Sequence, residues 1–228
     1  MVEVSGVPRV TIGLDENDST QSLVRVAWAV LSSDSLLIVG DVGARRIGAF
    51  SLDGAFRRWI GRTGEGPGEF RSPRHGGLTD EGEIWVFDPS EMRVLVYRPD
   101  GVPLQTIRID GDAAETTVLG VDSERGVWVK TVTHFWALDL DGRSSPKVLL
   151  PGQRYRPAVR VLRFMDESMD LIWEGEGDDY VVTSNPGGVG STSDVLAPRL
   201  LTALMDGVLV ITRTDSSSIE TVRVGEDP

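Results

Sequence analysis

An all-β fold of repeated four-stranded antiparallel blades is predicted by three features of this 228-residue sequence. The first is a short β-type triplet that recurs after a turn: Leu37-Ile38-Val39, Ile84-Trp85-Val86, Val127-Trp128-Val129, Leu171-Ile172-Trp173 and Val208-Leu209-Val210, at steps of 47, 43, 44 and 37 residues. The second is Asp-Gly, a strong hairpin signal because the tight turn wants positive φ, at Asp53-Gly54, Asp100-Gly101 and Asp141-Gly142. The third is agreement between the first two copies at a single offset of 47: Asp41 with Asp88, Arg46 with Arg93, Ile47 with Val94, Phe50 with Tyr97. A period of roughly 40 to 50 residues carrying four short strands describes a β-propeller. A sandwich also has evenly spaced strands, but it does not repeat its sequence at such intervals.

In chain order, Pro8 to Ile12 precede the first copy and read as a β segment. The blades follow at about 24–60, 74–109, 117–150, 158–197 and 199–228, all within one domain spanning 1–228. In the second copy the strands are predicted at His75 to Leu78, Glu83 to Asp88, Arg93 to Arg98 and Pro103 to Ile109, each bounded by Gly, Pro or Asp turns. The third copy loses two residues near its central turn, which brings His134 to the place of Arg46 and Arg93. The fourth keeps its triplet but carries the glycine-rich Asn185 to Ser191. The fifth stops after Ile219 to Val224, one strand short. Residues 8–13, with Arg9 to Gly13 as the pairing stretch, are the candidate closing strand, because pairing the two chain ends covers an exposed edge. Two readings of the blade count stand side by side: a closed five-bladed ring, or a truncated six-bladed propeller.

The stretch Trp59 to Pro73, W-I-GRTGEGPGEF-RSP, joins the first two copies. Gly61, Gly64, Gly66 and Gly68 permit backbone angles closed to other residues and Pro67 withholds a donor, so neither a helix nor a central strand forms here. It ends in no Gly-Lys-Ser/Thr, and Glu65 and Glu69 would repel an anion, so it reads as a junction and not a phosphate loop. This junction, with Pro73 leading into an apolar strand and then Asp88 and Arg93, resembles the connector of NHL-type β-propeller repeats and of bacterial six-bladed, TolB-like β-propellers. The resemblance covers most of Val26 to Ile109. It implies a periplasmic or extracellular protein, although Met1 to Ser5 show neither the basic nor the apolar part of a leader.

The formal net charge of −12 disfavours nucleic-acid partners and anionic membrane surfaces, and no apolar run reaches the roughly 20 residues of a spanning helix. The absence of cysteine excludes disulfides and thiolate chemistry.

Three groups of residues are candidates for function. Asp41 and Asp88 each lie five residues before an arginine; as a ring of acids, with Asp122, they would offer ligands to a divalent cation such as calcium, and as turn residues they would accept amide hydrogen bonds. His75, beside Arg74, opens the first strand of its blade, the position that lines a propeller channel. With only His75 and His134 in the chain, a three-histidine zinc site is impossible. Arg154, Arg156, Arg160 and Arg163 form a basic run, with Tyr155 as a stacking face, directly followed by the acids Asp166, Glu167, Asp170, Glu174, Glu176, Asp178 and Asp179. The run is either an anion-binding patch or a strand neutralised by its acidic neighbour. The six tryptophans read as packing between blades, with sugar stacking as the other use of an exposed ring. No nucleophile elbow or complete calcium loop is present. The expectation is a monomeric, cofactor-free scaffold for a protein or peptide partner. A lactonase-like, metal-dependent hydrolase or lyase, and a carbohydrate binder, are the alternatives.

Overall fold

The computed structural model describes residues 10–13, 22–110, 116–133, 151–165, 168–185, 188–193, 199–205, 208–214 and 218–223. Arg9, His134, Trp136, Asp141-Gly142, Asp166, Glu167 and Val224 lie outside them. Every element among the described residues is a strand. The chain divides into two compact units, residues 1–110 and 111–228.

The first unit holds the first two copies. β1 (Val26–Leu31), β2 (Leu36–Asp41), β3 (Arg46–Ser51) and β4 (Phe56–Ile60) form one antiparallel sheet in that order. A second sheet contains β7 (His75–Leu78), β8 (Ile84–Asp88), β9 (Arg93–Tyr97) and β10 (Pro103–Arg108), within a residue or so of the limits read from the sequence. The register repeats with the sequence: Leu37 faces Phe50 as Ile84 faces Tyr97, and Asp41 faces Arg46 as Asp88 faces Arg93. Between the sheets, β5 (Arg62–Thr63) and β6 (Glu69–Phe70) make a two-stranded parallel clip across the glycine-rich junction. The predicted Asp-Gly turns form at Gly54 (φ 90°) and Gly101 (φ 88°), where Asp53 and Asp100 accept the amides of Ala55 and Val102.

The core of this unit joins both sheets: Ile38, Ile47, Ala49 and Ile60 from the first pack with Ile84, Val86, Leu95 and Tyr97 from the second, and Phe70 of the clip sits among them. Trp28 on β1 locks the arrangement. Its indole N–H donates to the Pro73 carbonyl at 3.0 Å, and its ring lies over Gly76 of β7, where a Cβ would come within 2.4 Å of ring carbon. Gly76→Ala should therefore cost about 1–3 kcal/mol through overpacking, read as a lower urea midpoint. An unchanged midpoint would mean that the ring can step aside.

The second unit departs from the expected boundaries. Among the described residues, β11 (Thr116–Val121) and β12 (Val127–Thr133) share one sheet with β14 (Ala158–Met165) and β15 (Ser168–Glu176), in the order β11-β12-β14-β15. The segment read as the start of a fourth blade thus supplies the outer half of the third sheet. β12 and β14 align over seven residue pairs, and Val159, Val161, Leu162 and Phe164 are buried there. Leu171-Ile172-Trp173 falls on the outer strand β15, so a triplet of strand formers did not distinguish an edge strand from a central one. Among the described residues the remaining sheets have three strands each: β13 (Arg154–Tyr155), β16 (Tyr180–Asn185) and β17 (Gly188–Ser193), then β18 (Leu200–Met205), β19 (Val208–Arg213) and β20 (Ile219–Arg223). Residues 10–13 carry no strand; Val10 and Ile12 lie instead beside Gly54.

Candidate functional site

Asp41 and Asp88, offered by the sequence as cation ligands, are wholly buried and fully engaged. Asp41 accepts the amides of Val24 and Arg25 at 2.9 Å each and of Ala44 at 3.0 Å. Asp88 accepts those of Arg71, Ser72 and Ser90 at 2.8, 3.1 and 3.2 Å. Val24 and Arg71, like Arg25 and Ser72, are 47 residues apart, so each acid grips the same point of the chain entering its blade. The arginine completes the grip. Arg46 lies 3.8 Å from Asp41 and donates to the Ser22 carbonyl; Arg93 lies 3.9 Å from Asp88 and donates to the Glu69 carbonyl at 3.0 Å. Burial would raise the Asp41 carboxyl, but the amides of Val24, Arg25 and Ala44, with Arg46, outweigh it and hold the group below the usual carboxylate range. These acids are latches between strands. Their carboxylate oxygens accept backbone amides of the chain entering each blade and of the turn that follows the strand.

Asp122 is not their counterpart. It occupies the first turn of its blade, where Ser32 and Thr79 stand in the others: each accepts the amide four residues on through its side chain (Leu36, Glu83, Gly126), and each turn carries one positive-φ residue (Ser35, Gly82, Arg125). The carboxylate adds what a hydroxyl cannot. It accepts the Trp128 indole N–H at 2.8 Å and the Arg163 Nε–H at 2.7 Å, while Arg163 also meets Glu124 at 2.8 Å. Burial pushes this carboxyl up, but Arg163, Trp128 and Gly126 together bring it down. Among the described residues no three His, Asp or Glu side chains come together as a metal-binding group.

The basic run is largely neutralised. Arg160 meets Glu174, its partner in the β14–β15 register, at 2.6 Å; Arg156 holds Asp179 at 2.7 Å and Glu176 at 3.1 Å; Arg163 is 4% exposed within the Asp122 pair. Arg154 lies opposite Val181, and Tyr155 faces Tyr180 with ring centroids 5.7 Å apart. The exposed Trp59, a candidate for sugar stacking, carries the Arg46 guanidinium over its ring at 4.6 Å.

His75 is half-buried on β7 with Phe87 beside it, and Arg74 is exposed. Burial, and then the positive Arg74, pull the imidazole below its ordinary value. The folded state therefore favours neutral His75. Its contribution to stability is complete above the unfolded value near 6.5 and is lost as pH falls towards the folded one. Melting curves between neutral pH and about pH 5 should show a steeper loss for the wild type than for His75→Gln.

One cleft in the first unit, of about 950 Å³, was not anticipated. It lies between the β2–β3 turn and the junction, and its charged walls are Arg25, Arg45, Arg71, Glu65 and Glu69. Arg71 is paired with Glu65 and with Glu91, and Glu69 accepts from Arg62 at 2.6 Å and from the Gly66 amide at 2.9 Å. The Gly66 amide and Arg62 hold the Glu69 carboxyl below its ordinary value. Arg25 and Arg45 escaped the sequence reading because they do not repeat: Ser72 and Met92 stand at their places in the second copy.

A family described as "6-bladed beta-propeller" matches residues 17–133, just over half of the chain. The chain belongs to this propeller family. No curated protein matches it. Among solved structures, the propeller is similar to a protein described as exported, from Bacteroides fragilis, with TM-score 0.54 and 15% identity, over 91% of this chain and 52% of that one. It thus spans about half the length of that protein. Weaker likenesses are to virginiamycin B lyase from Staphylococcus aureus (TM-score 0.45, 14% identity, 92% and 72% covered) and to a gluconolactonase from Xanthomonas campestris (0.39, 10%, 83% and 70%). At 15% identity the likeness to the Bacteroides fragilis protein is one of fold.

Within the propeller, Asp41, Asp88 and Asp122 are therefore placed to hold strands and turns, and the cleft of the first unit is lined by polar and charged side chains. A cleft walled by turn and junction residues, with both signs of charge, can orient a polar ligand.

Proposed function

We propose that the chain is a non-catalytic scaffold that binds a protein or peptide partner, with the cleft of the first unit as its recognition surface. One observation carries this reading. Asp41, Asp88 and Asp122, the acids a propeller hydrolase would offer to a metal, are consumed by backbone amides and by arginines, while the turns and the junction around the cleft keep exposed polar side chains. The fold itself does not decide between these uses.

The test is peptide display against the full chain, run beside thermal unfolding of the metal-stripped protein with and without millimolar calcium, magnesium, manganese or zinc. The scaffold reading expects recurrent peptide sequences and no ion-dependent shift. An ion binding the native state at 100-fold excess over its dissociation constant would add about 2.7 kcal/mol. Such a shift, abolished in Asp88→Asn and accompanied by no enriched peptide, would overturn the scaffold in favour of a metal-dependent hydrolase.

A further inference from the structure

We propose that this cleft takes an acidic peptide segment whose carboxylates seat on the guanidinium groups of Arg25 and Arg45; the inference rests on the scaffold reading and adds the chemistry of the partner. Arg25 precedes β1 and Arg45 ends the β2–β3 turn, where its φ is +55°. The two are fixed to one rim by the backbone. The Arg25 amide is held by Asp41 at 2.9 Å, and its carbonyl accepts the Gly43 N–H of the same turn at 3.5 Å. The latch that closes the blade thus also sets the position of a recognition residue.

The charges of the cleft sort into engaged and unengaged groups. Arg71, Glu65 and Glu69 already have partners. Arg25 and Arg45 are exposed and, among the described residues, form no ion pair and no side-chain hydrogen bond. What the cleft offers a ligand is therefore two planar guanidinium forks, whose donors match a carboxylate bidentately. The remaining lining chooses among anions. Among the described residues no aromatic side chain lines the cleft and Val42 is its single apolar side chain, so they offer a nucleobase or a sugar ring nothing to stack on. A volume of about 950 Å³ exceeds the needs of a single small anion and suits a polar segment of chain.

The test is fluorescence anisotropy on the full chain with a labelled peptide of alternating glutamate and serine, and with the same peptide carrying glutamine for glutamate. The glutamate peptide should bind at least about tenfold more tightly, a difference worth about 1.4 kcal/mol. Arg25→Gln and Arg45→Gln should each weaken it about threefold to tenfold with the melting temperature unchanged, because both side chains are exposed. Arg160→Gln, in the neutralised run, should leave it as it is. Equal binding of both peptides, indifference to Arg25→Gln and Arg45→Gln, or preference for a labelled single-stranded oligonucleotide would overturn the inference. If display then still yields neutral peptides that bind, the scaffold stands and only the acidic partner falls; if it yields none, both fall.

Discussion

Replacing Asp88 by alanine is expected to cost the fold about 3–5 kcal/mol, the range for removing one partner of a buried ion pair. The side chain is 0% exposed and answers three backbone amides, of Arg71, Ser72 and Ser90. Alanine leaves all three without this acceptor and leaves the Arg93 charge, 11% exposed, with only the Glu65 and Glu69 carbonyls as partners. Each orphaned buried donor adds a desolvation cost of about 1–3 kcal/mol where water cannot reach it, so losses from the amides and from the arginine overlap within the same range. Asp88→Asn should fall in between, since one oxygen still accepts while the new amide N–H turns towards another N–H. Asp41→Ala should follow the same course less steeply, because Arg46 is 25% exposed and water can take up part of its charge. Urea unfolding of the three variants measures this. A loss below about 1 kcal/mol for Asp88→Ala would mean that the latch is ornamental.

Asp122→Ala is expected to damage the second unit by a similar amount, about 3–5 kcal/mol. The carboxylate is the acceptor for the indole of Trp128, which is 1% exposed, for the Gly126 amide and for Arg163. Removing it leaves Arg163 with Glu124 alone, and the Glu124 side chain is 72% exposed, so the remaining pair is largely screened. A double variant separates the cost of an unpaired charge from the worth of the pair. Asp122→Leu with Arg163→Met should recover much of the loss, because an apolar pair of similar volume often replaces a buried ion pair at little cost. Failure to recover would place the energy in the Trp128 and Gly126 hydrogen bonds instead.

Much of the first unit was legible because its chemistry is local and written twice. The Asp-Gly turns, the strand triplets and the offset of 47 all depend on residues close in sequence, and the observed strands and register follow them. What the acids do was half legible. Recurrence of Asp41 with Arg46 and Asp88 with Arg93 pointed to a structural pair, but the groups they hold are backbone amides 16 and 17 residues upstream, and backbone groups leave no residue signature. Asp122 was grouped with them by residue type alone, whereas its place in the turn makes it the equivalent of Ser32 and Thr79. The third sheet was misdivided because β12 pairs with β14 over a long sequence separation, while the sequence reads residues 134–150 as the rest of the third blade and 158 as the start of the fourth. The basic run Arg154 to Arg163 was ambiguous for want of the register that sets Arg160 against Glu174. Arg25 and Arg45 were invisible to a search for what repeats, since Ser72 and Met92 stand at their places in the second copy.

Amide hydrogen exchange at Val24, Arg25, Arg71 and Ser72, in the wild type and in Asp88→Asn, tests the latch most directly. None of the four belongs to a strand, so a carboxylate is what shields them. All four should be protected in the wild type, and Asp88→Asn should speed exchange at Arg71 and Ser72 while Val24 and Arg25 stay protected. Exchange of all four at the rate of an open loop in the wild type, or equal opening of all four in Asp88→Asn, would contradict the account of paired, repeat-specific latches.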